Sequence, residues 1–315
     1  MSTLDILIPT YNRRKELLDN LQILDEYIAR TGSTAFVWVV VSDNFSTDGT
    51  YNEACGFLDT CKMTLKIYHQ DRNIGLEENA VFALSEAHAE YVMYLGDDDY
   101  LQFEYFQHVL RLIGSRTNFT CCVPSFVART KDSRFLAARD LGTNESFAKG
   151  MYAVTRLFLK GHQLSGVAFL RRGTLDGYLS RPNLRNKYLF MYFVGFNCMR
   201  GRSEYVREFP VTVTLGQIKD WAYGKDGLSV DILKSIRCLL EGNPLRRTRL
   251  ELSAFFSSAQ STRIIYRRNL QRLRAIFLTF RSRHLSILSK VIIVPLVPLY
   301  CFKVFLNRMF ADLLS

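Results

Sequence analysis

The stretch YVMYLGDDDYL, residues 91–101, sets three carboxylates directly after a short apolar run. Asp97, Asp98 and Asp99 repel one another and none fills a core, so the end of this strand is either a solvated turn or a place where something positive binds. The preceding sequence repeats the layout. LDILIP (4–9) is a short β-rich run followed by Thr10-Tyr11-Asn12, and FVWVVVSDN (36–44) is a continuous β-branched run ending in Ser42-Asp43-Asn44. MTLKIYH (63–69) leads into Asp71-Arg72-Asn73. The unbroken run at 36–44 is the mark of a strand buried on both faces.

Helical patterns lie between them. Leu17, Leu18, Leu21, Leu24 and Ile28 recur at helical spacing over 13–30, LEENAVFALSEAHA covers 76–89, and FEYFQHVLRLIG follows the aspartates. Thr50 with Glu53 three residues later reads as a capping box opening a helix. FTCCVPSFVA (119–128) is expected as a fifth strand. Strand–helix units of this length predict an α/β fold, a mostly parallel, Rossmann-like sheet joined by right-handed crossovers. Ligands bind beyond the carboxyl ends of such strands, where the four polar clusters converge. In an extended chain Asp97 and Asp99 face one side together, with Asp98 turned away.

Hard divalent cations, Mn²⁺ or Mg²⁺, take oxygen ligands and complete their shell with phosphate and water. The aspartate run therefore reads as a seat for a metal-bound diphosphate.

The ordered set PTYNR, VSDNFSTDGT, QDRNIG and LGDDDYL resembles the nucleotide-sugar domain of family 2 glycosyltransferases, which have the GT-A fold. Within that group the chain is most similar to bacterial O-antigen sugar transferases of the abequosyltransferase-like type. The resemblance covers about residues 3–115. It implies that Thr10 and Tyr11 meet the nucleotide base, Tyr11 by stacking, and that Asp43 hydrogen-bonds the base. Arg72 matches a position near base and phosphates. Asp97 matches the first carboxylate of a DxD motif, near ribose and metal, and Asp98 belongs to the same nucleotide-sugar set. Asp99 matches the metal ligand bridging to the diphosphate. Asp48 and Gly49 read as structural, preparing the helix that Thr50 caps.

The chain departs from the family pattern on the acceptor side. Inverting members carry a carboxylate there, often in a Glu-Asp pair, as general base; residues 131–244 hold no such pair. Asp176 and Asp220 rank first as candidates, ahead of Glu204, Glu208, Asp226 and Asp231, with His162 a further choice. In this region MYAVTRLFLKG and NKYLFMYFVGFNCM read as helices and GVAFLRR as a strand. VREFPVTVTLG reads as an edge strand because Pro210 removes a ladder donor.

The charge is segregated. From Leu245 to the end there are 13 Lys and Arg against two acids, which accounts for the whole net charge of +11. Arg263, Arg267, Arg268, Arg272 and Arg274 alternate with Ile and Leu in a basic amphipathic pattern, followed by the uncharged run VIIVPLVPLYCF (291–302). Twelve residues with Pro295 and Pro298 are too few to span a bilayer, and they suit a segment lying in the headgroup region. Phosphate binding does not need the uncharged run, so membrane is favoured over nucleic acid. Seven cysteines without a CxxC pair fit a reducing compartment, and the first residues lack a signal-peptide layout.

The expected organisation is a nucleotide-sugar half (1–130), an acceptor half (131–244) and a basic helical tail (245–315). The expected activity is metal-dependent transfer, with inversion, from a nucleoside diphosphate sugar to a polyprenyl-diphosphate-linked glycan in surface polysaccharide synthesis. It would take place in the cytoplasm, peripherally on the inner face of a bacterial membrane. A nucleotidyltransferase would carry glycine in its first phosphate loop, and residues 9–16 have none. A non-catalytic sugar-nucleotide or glycan-binding scaffold is the alternative that the missing Glu-Asp pair motivates.

Overall fold

A computed structural model describes residues 3–115, 117–215, 227–257 and 279–296. The chain divides into two compact units, 1–222 and 223–315.

The first unit is built on nine strands. In chain order its elements are β1 (Leu4–Thr10), α1 (Arg14–Arg30), β2 (Val37–Asp43), α2 (Thr50–Phe57), β3 (Thr64–His69), α3 (Leu76–Ser85), β4 (Tyr91–Tyr94) and α4 (Phe103–Gly114). There follow β5 (Phe119–Thr130), β6 (Phe135–Arg139), β7 (Glu145–Phe147), α5 (Met151–Leu157), a 3₁₀ turn (Phe158–His162), β8 (Ala168–Leu170), α6 (Thr174–Leu179), α7 (Leu189–Cys198) and β9 (Arg202–Leu215). The sheet order is β3-β2-β1-β4-β8-β5-β9-β7, with β6 on β5. β1 to β4 are mutually parallel. β5 and β9 run the same way, while β6, β7 and β8 run against them. The fold is therefore mixed α/β around a mostly parallel sheet.

The apolar runs become core for the reason the sequence suggests. Leu4, Ile6 and Ile8 of β1 and Val37, Val39 and Val41 of β2 pack against Leu17, Leu21, Leu24 and Ile28 of α1, all fully or almost fully buried. At about 25 cal/mol per Å² of apolar surface removed from water, burial of this kind is the main stabilising contribution. β8 enters antiparallel between β4 and β5 through a reversal at Gly166. Its φ of +81° is open to glycine. A Cβ there would meet Pro124 Cγ at 2.8 Å and Val211 Cγ2 at 2.9 Å, while the Gly166 carbonyl accepts the Tyr105 hydroxyl at 2.5 Å.

Three local expectations are corrected. β9 is not an edge strand: it lies between β5 and β7. Pro210 is tolerated because the β5–β9 register shifts between Val206 and Val211, so its missing N–H falls in a bulge. The capping box at Thr50 is not formed either. Gly49 (φ +90°) is the N-cap of α2, and Asp48 accepts the Thr50 backbone N–H at 3.0 Å and the Arg14 N–H at 3.3 Å, serving two helix starts at once. The third, at the aspartates, is treated below.

In the second unit, α8 (Gly227–Leu240), α9 (Pro244–Phe255) and a helix over 287–296 enclose Leu233, Phe255, Leu285 and Ile293. The fold boundary thus precedes the charge boundary at 245, because α8 packs on α9 while charge marks only the surface. Glu251 is fully buried. It accepts Arg247 Nε at 2.8 Å, the Ser286 backbone N–H at 3.1 Å and Ser289 Oγ at 2.5 Å, tying α9 to the start of the last helix. No helix among the described residues is long and apolar enough to cross a membrane. The basic residues Arg263 to Arg274 and the run beyond 296 lie outside the described residues.

His284 gives this unit a pH dependence. Burial, followed by the charges of Lys234, Arg283, Arg237 and Arg247, holds its imidazole down to about 4. The unfolded chain then binds more protons than the folded one between about pH 6.5 and 4, so stability falls as pH falls through that window. His284→Phe is expected to flatten the decline in melting temperature between pH 7 and 4.5. An unchanged slope would assign the acid sensitivity elsewhere.

Candidate active site

Carboxyl ends of β1 to β4 form one rim, cross-linked loop by loop. Asn12 donates its N–H to Ser46 Oγ at 2.8 Å and accepts the Thr47 N–H at 2.8 Å. Asn44 donates to Asn73 Oδ1 at 2.9 Å and accepts the Ile74 N–H at 2.8 Å. Thr10 Oγ1 donates to Asp97 Oδ2 at 2.7 Å, joining the first loop to the aspartates. The four clusters picked out in the sequence are therefore one structure.

After β4 the chain does not continue extended. The Asp99 N–H returns to the Gly96 carbonyl at 3.2 Å, a tight turn with Asp97 and Asp98 at its corners. Strand alternation stops there, so Asp97 and Asp99 do not face one side together. Asp99 points inward, 4% exposed: its Oδ1 accepts the Thr214 N–H of β9 at 2.9 Å. Oδ2 accepts Gln163 Nε2 at 2.9 Å and Ser165 Oγ at 2.5 Å. Gly96 has no room for a side chain, since a Cβ would lie 3.0 Å from both Asp99 Oδ2 and Ser165 Oγ. Asn20, buried on α1, donates to the carbonyls of Asp97 and Asp99, both at 2.9 Å. A polar residue on an otherwise apolar helix face was the available signal for Asn20.

Asp97 and Asp98 are half-buried at the turn. Burial and the Asp98 charge push the Asp97 carboxyl up to about 8, against the opposing Thr10 hydrogen bond and the Arg13 charge. Two adjacent carboxylates, one of them disfavoured as an anion, fit part of an oxygen shell for a hard cation, with phosphate and water to complete it. No group of three or more His, Cys, Asp or Glu suited to a metal occurs among the described residues.

Other expected site residues separate. Arg72 is exposed on the rim and has no protein partner among the described residues. Tyr11 is half-buried in the loop that follows β1. Asp43 is wholly buried, with His69 Nδ1 on its Oδ2 at 2.6 Å and the Ser46 hydroxyl on its Oδ1. Asp176 is on α6, which starts where β8 ends: Thr174 Oγ1 donates to the Leu170 carbonyl at 2.9 Å, and Leu170 pairs with Tyr91 at the amino end of β4. That edge is opposite to the rim. Glu204 is buried, with its Oε1 hydrogen-bonded to His108 Nε2 at 2.6 Å. Asp220 and Asp226 lie outside the described residues. His162 is exposed just ahead of Gln163.

The model of glycosyl transferase family 2 matches residues 5–179, more than half of the chain. The chain is a family 2 glycosyltransferase. Among solved structures, TarS residues 1–349 from S. aureus in complex with UDP-GlcNAc aligns with 16% identity and a TM-score of 0.62, covering 89% of this chain and 81% of that one. The mannosyltransferase PcManGT from Pyrobaculum calidifontis, in complex with GDP-Man and Mn²⁺, aligns at 14% identity and TM-score 0.52, covering 97% and 82%. GalNAc-T7 with UDP, GalNAc and Mn²⁺ aligns at 12% identity and TM-score 0.51, covering 88% and 54%. These likenesses show the GT-A fold. No curated protein matches.

Proposed function

We propose that this glycosyltransferase is metal-dependent and moves a sugar from a nucleoside diphosphate donor to a lipid-linked oligosaccharide in bacterial surface polysaccharide synthesis. One observation carries the donor half of this reading: an acidic pair, Asp97 and Asp98, shares a rim with the exposed, unpartnered guanidinium of Arg72. Asp97 and Asp98 would hold Mn²⁺ or Mg²⁺, which when bound neutralises charge developing on the leaving diphosphate. Arg72 supplies a bidentate donor to phosphate oxygens. Asp99 keeps the turn in place rather than ligating the metal. Of the two carboxylates ranked first as base, Asp176 is held at the far edge of the sheet, so the reading assigns deprotonation of the acceptor hydroxyl to Asp220, with attack on the face opposite the diphosphate.

The acceptor half is supported by the second unit. On the helix over 287–296, Ile287, Val291 and Val294 are 80%, 64% and 58% exposed at helical spacing, close in sequence to Lys290, Arg281 and Arg283. An apolar stripe flanked by cations suits an anionic bilayer surface, where a polyprenyl-diphosphate-linked glycan would be met.

A thermal-shift panel of UDP, GDP, CDP and dTDP, each with and without Mn²⁺, tests the donor half. At least one diphosphate is expected to raise the melting temperature, and more so with Mn²⁺. Ligand shifts that ignore Mn²⁺ would remove the metal from the mechanism; no shift with any diphosphate would remove the donor site.

A further inference from the structure

At the carboxyl ends of three neighbouring strands, Thr10, Asp43 and His69 are register partners in a single row. The Asp43 carboxylate is enclosed by donors. Its Oδ2 takes the Ser46 backbone N–H at 3.1 Å and His69 Nδ1 at 2.6 Å, and its Oδ1 takes the Ser46 hydroxyl. An ionised carboxylate only accepts, so Nδ1 of His69 carries the proton in this bond, and in the neutral tautomer that the bond selects Nε2 is left as a lone pair. The His69 side chain is 33% exposed, and Nε2 has no protein partner among the described residues.

An apolar wall stands beside this ring. The ring centroids of Tyr51 and Phe45 lie 4.5 and 5.9 Å from that of His69. Phe45 is 42% exposed and has φ of +66°. A bulky aromatic in the left-handed region is strained, and such strain is held at ligand sites by surrounding bonds. Here those bonds are the clamps of Asn44 on Asn73 and of Ser46 on Asp43 on either side.

We propose that His69, held by Asp43, reads the donor's nucleobase. Its Nε2 accepts a hydrogen bond from an imide or lactam ring N–H while Phe45 covers a face of the base. Uracil and thymine offer N3–H, and guanine offers N1–H. Cytosine and adenine set a lone pair at the corresponding place, and two facing acceptors repel. The proposal rests on the nucleotide-sugar reading above and narrows it to donors built on uridine, thymidine or guanosine diphosphate. Asp43, expected from sequence to touch the base, acts one residue removed by fixing the tautomer.

Calorimetric titration of the full chain with UDP, dTDP, GDP, CDP and ADP, all with Mn²⁺, tests it. At least one of UDP, dTDP and GDP is expected to bind roughly tenfold or more tightly than CDP and ADP, the effect of one well-placed hydrogen bond against an unpaired acceptor. His69→Phe keeps a ring in the row and removes the acceptor, so the favoured diphosphate should fall to the CDP level while CDP itself changes by less than about twofold. His69→Gln, with a carbonyl oxygen in reach, should restore part of the preference. It also serves should His69→Phe fail to fold. A merely structural histidine would weaken all five alike. Wild-type binding without base preference, or a preference that survives in both variants, overturns the role of His69 and leaves the donor site standing. Absence of binding by any diphosphate overturns both.

Discussion

Asp97→Asn is expected to abolish sugar transfer and, in the absence of metal, to raise the melting temperature of the protein. Burial and the neighbouring Asp98 lift the Asp97 carboxyl to about 8 in the folded chain, against an ordinary carboxylate value near 3.8. The folded state therefore binds a proton that the unfolded state has released between about pH 4 and 8. By linkage the stability that this group contributes falls as pH rises through that window and is lowest above about 8. Asparagine carries no such charge, yet its carbonyl oxygen still accepts the Thr10 hydroxyl that lies 2.7 Å from Asp97. The variant's advantage in metal-free melting temperature should accordingly widen from pH 4 to 8 and then level off. Its activity should drop by at least about a hundredfold, the scale on which removal of one electrostatic partner of the transition state is felt. A stability gain bought with function is the pattern of a strained site. Melting curves that superimpose on the wild type at every pH would show that Asp97 is an ordinary solvated turn residue.

The rim was legible because each strand announces its own end. Apolar runs stop at Thr10-Tyr11-Asn12, Ser42-Asp43-Asn44 and Asp97-Asp98-Asp99, and parallel strands joined by helices bring those ends to one side. What followed β4 was less legible, since its layout depends on long-range pairing. GVAFLRR reads as a strand, but only the register of β8 with both β4 and β5 puts Gln163 and Ser165 against Asp99. The Pro210 signal pointed to an edge because sequence shows a missing donor and not the bulge that makes it harmless. His69 was passed over as the last residue of a strand. Its meaning lies in Asp43, 26 positions earlier and adjacent only across the sheet. Asp176 follows a turn at Gly173, a local cue that says nothing about which end of the sheet the turn occupies.

Asp99→Asn should behave differently from Asp98→Asn, although the two residues are neighbours and chemically identical. Asp99 is enclosed by three donors: the Thr214 N–H, Gln163 Nε2 and Ser165 Oγ. An amide in that place turns its own NH₂ toward one of them. A buried donor without an acceptor costs about 1–3 kcal/mol, which in a unit of this size lowers the melting temperature by roughly 2–12 °C. The damage should extend to transfer, because Asn20 holds the same turn through the carbonyls of Asp97 and Asp99. Replacing Asp98 instead removes the charge that disfavours ionised Asp97 and should leave the metal-free melting temperature at or above that of wild type, while erasing the stabilisation by Mn²⁺ and diphosphate together. The two variants thus separate a carboxylate that builds the site from one that binds through it. An Asp99→Asn protein as stable as wild type but blind to Mn²⁺ would return Asp99 to the metal's ligand shell and make its inward bonds a feature of the metal-free state alone.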